Sequence, residues 1–277
     1  WKKMTIENTS ELQFDQEFGN SFHGTGNTLI SADVLLALRS VEPQEYYNNV
    51  KIVDHPEQGH SYVMFVDVSR GRGQDYSTFT IIDISCNPFV QVCTYRDNMI
   101  SPLLFPDLLY KYAMHYNEAH VVVESNDAGQ VVCNGLYYDL EYENVFVESM
   151  IKANAIGVTM TSKVKRIGCS NLRDIMSQKK LIIKDEETIR EMSTFVAKGR
   201  SYQADSNSHD DLMMNLVMFG WFTSTPFFAE STDINMKHLL YKQKVQQLED
   251  EVIPVGIMPE AQDSHHPFGA GWETYKP

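Results

Sequence analysis

Three strand-forming runs lie close together in the sequence: SYVMFVDVS from Ser61, YSTFTIIDIS from Tyr76 and FVQVCTYRD from Phe89. Parallel neighbours need a crossover of about a dozen residues or more, and the links here are shorter, so the runs must pair as an antiparallel meander. The pattern then changes. SPLLFPDLLYKYAMHYNEA has apolar residues at helical spacing with proline near its start, and HVVVES is a short strand of the buried kind. GQVVCNGLYYDLEY reads as a helix and NVFVES as a further strand. SNLRDIMSQKKL and DEETIREMSTFVAK give two more helical patterns, and SHDDLMMNLVMFGWFTST closes the series as an apolar helix with Ser208 as its candidate cap. Three strands followed by alternating helices and strands predict an α/β fold: a mixed sheet, three antiparallel strands and then parallel additions, flanked by helices on both faces.

With 277 residues, 43% of them hydrophobic, the chain can bury one substantial core, so one main domain with appendages is expected. Residues 1–57 are mixed and polar, hold the helix-like ISADVLLALRS, and read as a lead-in. The main domain is placed at 58–225. Residues 226–277 combine an amphipathic pattern, NMKHLLYKQKVQQLEDEV, with a tail rich in glycine, proline and histidine, where the adjacent His265 and His266 read as incidental rather than metal-binding. The first residue is Trp1 and no signal-peptide core follows it, which suggests a piece of a longer cytosolic protein. No run approaches the roughly 18 to 20 apolar residues of a membrane span. Cys86, Cys93, Cys133 and Cys169 are scattered, with no C-x-x-C pair, and are expected to be core thiols in a reducing compartment rather than zinc ligands.

Three acidic places stand where the apolar pattern makes them costly. Asp67 ends MFVD, Glu124 ends HVVVE, and Asp210 with Asp211 opens the LMMNLVMFGW helix. A carboxylate beside a core destabilises unless its charge is compensated, and a divalent cation is one compensation. Magnesium takes a few carboxylates and keeps waters, and paired ions suit both the attacking and the leaving oxygen of a phosphoryl displacement. Each acid alone has an ordinary reading, as a first-turn helix acid for Asp210 or Asp211 and as a turn former for Asp67. Their placement within one strand order is what gives them joint meaning.

The loop after Asp67, SRGRGQD, places Arg70 and Arg72 between Gly71 and Gly73, where the backbone can pass close to phosphates. Tyr76 stands where a G-x-G-x-x-G motif needs its third glycine, so a dinucleotide site is rejected, and no G-x-x-x-x-G-K-[ST] loop is present for ATP hydrolysis. Ser69, His209 and Cys133 lack a nucleophile-elbow context. The net charge of −14 argues weakly against a polyanion partner. Against it stands a basic stretch, Lys163, Lys165, Arg166, Arg173, Lys179, Lys180 and Lys184, opposed only by Asp174. By charge pattern alone that stretch reads equally as a solvated helix face.

Together VDVSRGRGQDYSTFTIID, HVVVESNDAGQ and SHDDLMMNLVMFGW closely resemble the nuclease domain of the large terminase subunit of T4-like tailed bacteriophages, over roughly residues 58–225. The motifs are specific in combination and weak one by one. The resemblance implies an RNase H-like fold and a divalent-metal-dependent endodeoxyribonuclease that cuts concatemeric double-stranded DNA during genome packaging, with little sequence specificity. It makes Asp67 the central ligand bridging two Mg²⁺ or Mn²⁺ ions, Glu124 the second acid, and the Asp210–Asp211 pair the helix-borne acid. Adjacent helix residues point about 100° apart, so one of the pair must lead; Asp211 is favoured, with Asp210 and His209 in support. Asp75 reads equally as an outer ligand or as the residue that starts a hairpin before Tyr76.

In that setting Lys163, Lys165 and Arg166 become phosphate contacts that position a duplex without reading bases, as do Arg70 and Arg72, while Lys179, Lys180 and Lys184 keep the reading of a solvated face. The implied partners are double-stranded DNA, the portal protein, the small terminase subunit and an ATPase domain of the same full-length chain, with no membrane. The implied location is the host cytoplasm, at the procapsid. Two rivals stay open: another RNase H-like enzyme such as a junction resolvase, and a DNA-gripping module whose acids are structural.

Overall fold

The computed structural model describes residues 27–147, 156–199 and 201–232; the amphipathic pattern from Asn235, His265 and His266 lie outside the described residues. In chain order the elements are α1 (Ala32–Ala37), β1 (Glu45–Tyr47), β2 (Val50–Ile52), β3 (Tyr62–Asp67), β4 (Ser77–Asp83), β5 (Phe89–Asp97), α2 (Phe105–His115), β6 (His120–Val123) and α3 (Gly129–Asn134). They continue with α4 (Ser162–Ser177), β7 (Leu181–Ile182), α5 (Glu186–Thr194), β8 (Phe195–Lys198), β9 (Ser201–Ala204) and α6 (Asp211–Phe222). A seven-stranded sheet runs β1-β2-β5-β4-β3-β6, with β7 alongside β5. β3, β4 and β5 pair antiparallel as expected, and β6 joins β3 in parallel, as does β7 with β5.

Successive strand residues face opposite sides of a sheet, and β3 uses both sides. Val63 and Phe65 enter a core built with α4, α5 and α6, whereas Tyr62, Met64 and Val66 enter a second core under α2 and α3. β6 divides the same way, with Val122 in the first core and Val121 and Val123 in the second. Helices therefore cover both faces. α6 is apolar on nearly all sides, so it can exist only as an enclosed helix, and Leu212 to Gly220 are all buried.

Several expectations are corrected. The polar lead-in supplies β1 and β2, and β2 extends the sheet by pairing with β5. GQVVCNGLYYDLEY is helical only to Asp139, its last turn widening to a π-helix at Gly135–Asp139. NVFVES makes isolated bridges, Val145 to Val121 and Val147 to Ile156 and Gly157, in place of a strand, and its last two residues lie outside the described residues. The DEETIREMSTFVAK helix stops at Thr194 and its end becomes β8, because Phe195 to Lys198 find a partner in β9. Ser208 does not cap α6; its amide donates to the Asp205 carbonyl, and Asp210 holds the cap position. Cys86 is exposed while the other three cysteines are buried. Lys184, read as part of a solvated face, is paired with Asp54.

α4 and α6 cross at backbone contact. A Cβ on Gly168 would lie 2.2 Å from the Val217 carbonyl oxygen, and one on Gly220 would lie 2.4 Å from that of Gly168. Asn171 Nδ2 seals the crossing by donating to the Gly220 carbonyl at 2.9 Å. Gly168→Ala and Gly220→Ala must each push the helices apart, and each is expected to lower unfolding stability by about 1–3 kcal/mol. Urea unfolding checks this; unchanged midpoints would show that the helices need no such contact.

Candidate active site

Asp67 and Glu124 meet through backbone pairing alone. β3 and β6 run parallel in the register Val66↔Val123, and the Glu124 amide donates to the Val66 carbonyl at 2.9 Å. The next residues, Asp67 and Glu124, therefore leave the ends of adjacent strands side by side. Each falls two residues beyond a neighbour that faces the α4–α6 core, Phe65 and Val122, so both carboxylates turn to that face.

α6 brings the third acid. Thr78 lies opposite Asp67 in the β3–β4 ladder, and its hydroxyl donates to the Asp211 carbonyl at 3.2 Å. Asn215, one turn further along, donates to Thr78 Oγ1 at 3.0 Å from a buried position. These polar contacts in an apolar interface fix where α6 begins. Asp211 lines a cleft of about 330 Å³ with Asp67, Ser69, Arg72, Asp75 and Tyr76. Asp210 is tethered to the neighbouring β9, its Oδ2 accepting from the Ala204 amide at 3.1 Å. His209 Nδ1 stands 3.7 Å from Asp211 Oδ2, and its ring meets Tyr76 edge-on at 4.9 Å.

The electrostatics record the crowding. Burial holds the Asp67 carboxyl well above the usual carboxylate range, and the charges of Glu124, Asp211 and Asp210 add to the rise. Burial likewise pushes Asp211 up to about 7, reinforced by Asp210 and Asp75 and opposed by Arg96. Glu124 is raised by burial, while the Lys165 charge and a 3.0 Å hydrogen bond from Asn126 Nδ2 pull it back. Like charges in a half-buried cluster favour neutral forms, or a cation between them. Asp211 Oδ2 is buried with no hydrogen-bond partner, and an oxygen-only donor set suits a hard divalent ion. Among the described residues no three acidic, histidine or cysteine side chains are already gathered at ligand geometry. In donor chemistry, carboxylates with one buried oxygen left without a partner, the residues fit a hard divalent ion.

The basic residues divide. Lys165, on the half of α4 capped by Thr161, acts on Glu124 and lies 5.5 Å over the Phe195 ring. With Arg166, Arg173, Ser201 and Tyr202 it borders a cavity of about 470 Å³ between α4 and β9. Lys163 is exposed on the same helix and borders neither space. Arg72 is exposed at the cleft, whereas Arg70 is engaged by Asp127 at 2.6 Å. Gly71 holds the loop close, with φ +65° and room for no Cβ beside the Ile100 carbonyl oxygen at 2.3 Å. Residues missed by sequence reasoning include Asp127, Asn126, Arg96 and Glu191. Only Asn126 and Asp127, inside the quoted ESND stretch, carried a local signal.

The model of the Terminase RNaseH-like domain family matches residues 64–219, more than half of the chain. The large subunit of the terminase of Thermus virus P23-45 is 26% identical over 216 residues, covering 75% of this chain and 40% of that protein, so the chain spans less than half the relative's length. Crystal structures of the large terminase nuclease from thermophilic phage G20c with bound cobalt and with bound magnesium superpose with TM-scores of 0.56 and 0.55. Both are 21% identical, covering 70% of this chain and 96% of theirs. The large terminase nuclease domain of Thermus phage P74-26 gives 0.54 at 22% identity, covering 69% and 93%. The likeness is one of fold, and the fold is RNase H-like.

A carboxyl raised by burial stabilises the fold most when protonated, below its unfolded value, and that contribution is lost as pH rises through the folded value. For Asp211 the window runs from the ordinary 3.8 to about 7. In EDTA, wild type is expected to lose thermal stability relative to Asp211→Asn as pH rises across it. Parallel melting curves across that range would refute the electrostatic reading.

Proposed function

This chain belongs to the Terminase RNaseH-like domain family, and we propose that it is the nuclease part of a phage large terminase, a divalent-metal-dependent endodeoxyribonuclease. Its substrate is concatemeric double-stranded DNA, cut during genome packaging with little sequence specificity. The observation that carries the proposal is the convergence of Asp67, Glu124 and Asp211 from two strand ends and a helix start on one face of the sheet. The T4-like affiliation rests on the three quoted motifs; the phage relatives named above come from Thermus and thermophilic phages.

Two ions, Mg²⁺ or Mn²⁺, supply Lewis-acid stabilisation of the phosphodiester oxygens and a water activated for in-line attack when bound. Asp67 would be the central ligand, held rigid by its place on an inner strand. Glu124 and Asp211 complete the set, with Asp210 behind Asp211 and Asp75 at the outer edge. Lys165 offers its cation to a phosphate beside Glu124, and Arg166 and Lys163 extend the contact along α4. Arg72 meets the backbone from the opposite loop. Arg70 joins it by exchanging Asp127 for phosphate, since an exposed ion pair is worth little. The magnesium- and cobalt-bound G20c structures support the choice of a divalent ion.

The nuclease unit is taken as 58–225, completed on one sheet edge by the lead-in's β1 and β2, with 226–277 as a C-terminal helix and a tail or docking segment. An ATPase domain of the same full-length chain, the portal protein and the small terminase subunit are the partners that decide where cutting occurs. The place of work is the host cytoplasm, at the procapsid.

Plasmid is expected to be cut by wild type in Mg²⁺ or Mn²⁺ and spared in EDTA, with Asp67→Ala slower by roughly a hundredfold or more, about 3 kcal/mol of lost transition-state stabilisation. Cutting that survives either the chelator or the substitution sinks the mechanism. Retardation without cutting in every condition favours a gripping module, and preference for branched DNA favours a resolvase. In binding assays Lys165→Ala with Arg166→Ala is expected to weaken all DNA sequences alike and to flatten the log-affinity against log-salt slope by about one unit per lost contact. An unchanged slope would remove α4 from the DNA path.

A further inference from the structure

α6 has an unusual problem at its first turn. A helix leaves its first amides without internal partners, and the side chain at the cap position ordinarily takes one of them. Here the cap residue is Asp210, and its side chain makes no such bond; its Oδ2 accepts from the Ala204 amide instead. Asp211 follows directly and turns its carboxylate to the cleft. Neither aspartate closes the helix that carries it.

The missing cap comes from another helix. Glu191 of α5 is buried, with its side chain only 7% exposed, and its Oε2 accepts from the Met213 amide at 2.9 Å. Its second oxygen, Oε1, faces Arg96 Nε of β5 at 3.5 Å. The Arg96 guanidinium carbon lies over the Tyr76 ring, 3.5 Å from its centroid, and that ring meets His209. Glu191 is thus bracketed between the first turn of α6 and an arginine held over an aromatic ring, with little freedom to leave. A buried carboxylate in a helical pattern is costly without a task, and none of the residues assigned to metal or DNA contact is Glu191.

We propose that Glu191 is a positioning residue for the Asp210–Asp211 pair: it caps α6 from outside, so that neither carboxylate is taken up by the helix's own amides and Asp211 stays turned to the cleft. The inference rests on the metal-nuclease reading above. Without the outside cap, the first turn of α6 either opens or recruits Asp210 or Asp211 to its own amides, and a ligand is displaced or occupied. Partners that orient metal ligands typically contribute 10- to 100-fold in metal affinity.

The test is Mn²⁺ binding to the full chain by titration calorimetry, with circular dichroism to establish folding, for wild type, Asp67→Ala, Glu191→Ala and Glu191→Gln. Glu191→Ala is expected to bind Mn²⁺ about 10- to 100-fold more weakly. Glu191→Gln keeps a carbonyl oxygen for the Met213 amide and is expected to stay within about threefold of wild type, the margin that separates a retained cap from that loss. Should Glu191→Ala not be recovered folded, Glu191→Asp, one methylene too short to reach the amide, takes its place with the same loss expected. Wild-type affinity in the truncated variant, or a Gln variant as weak as it, overturns the inference. Wild type binding no better than Asp67→Ala overturns the metal centre itself, and the inference with it.

Discussion

The parallel pairing of β3 with β6 is the interaction on which the rest depends. Two adjacent strands in the register Val66↔Val123 end in Asp67 and Glu124, so two carboxylates lie abreast before any side-chain contact is made. Neighbouring strands are about 4.8 Å apart, a spacing that suits ligands sharing one ion better than two charges left to repel each other. Because side chains alternate across a sheet, both acids fall on the α4–α6 face, where Asp211 and Lys165 already are.

Concentrating acids in one place works against folding, and the surrounding structure is arranged to hold them there. Thr78 and Asn215 pin α6 to β4 through polar contacts inside an apolar interface. The glycine crossing of α4 and α6 brings the basic helix against the apolar one that opens with Asp211, with no side chain between their backbones. Lys165 and Asn126 temper Glu124, and Arg96 tempers Asp211. The net charge of −14 coexists with a local basic border on α4, where Lys165, Arg166 and Arg173 line one cavity.

What was legible in the sequence follows from the range over which each feature is encoded. β3, β4, β5, β6 and α6 were legible because a buried element must carry an unbroken apolar pattern, and Asp67, Glu124 and the Asp210–Asp211 pair were legible because they interrupt that pattern at its ends. β1, β2, β7, β8 and β9 were not, since they are two to four residues long and owe their form to partners far away in the chain. The helix start after Ser208 was misjudged because Asp210 takes the cap position while its carboxylate bonds β9. The pairing of Arg70, expected as a phosphate contact, was not legible because its partner, Asp127, lies in another loop. Glu191 and Arg96 left no local sign at all: their meaning comes from β5 and α5 meeting the first turn of α6.

The most direct test is anomalous diffraction from crystals soaked in Mn²⁺. The account predicts density within roughly 2.0–2.3 Å of an Asp67 carboxylate oxygen, with Glu124 and Asp211 supplying further ligands, at the spacing usual for hard divalent ions. Manganese bound elsewhere, or at Asp211 and Asp75 without Asp67, would contradict it.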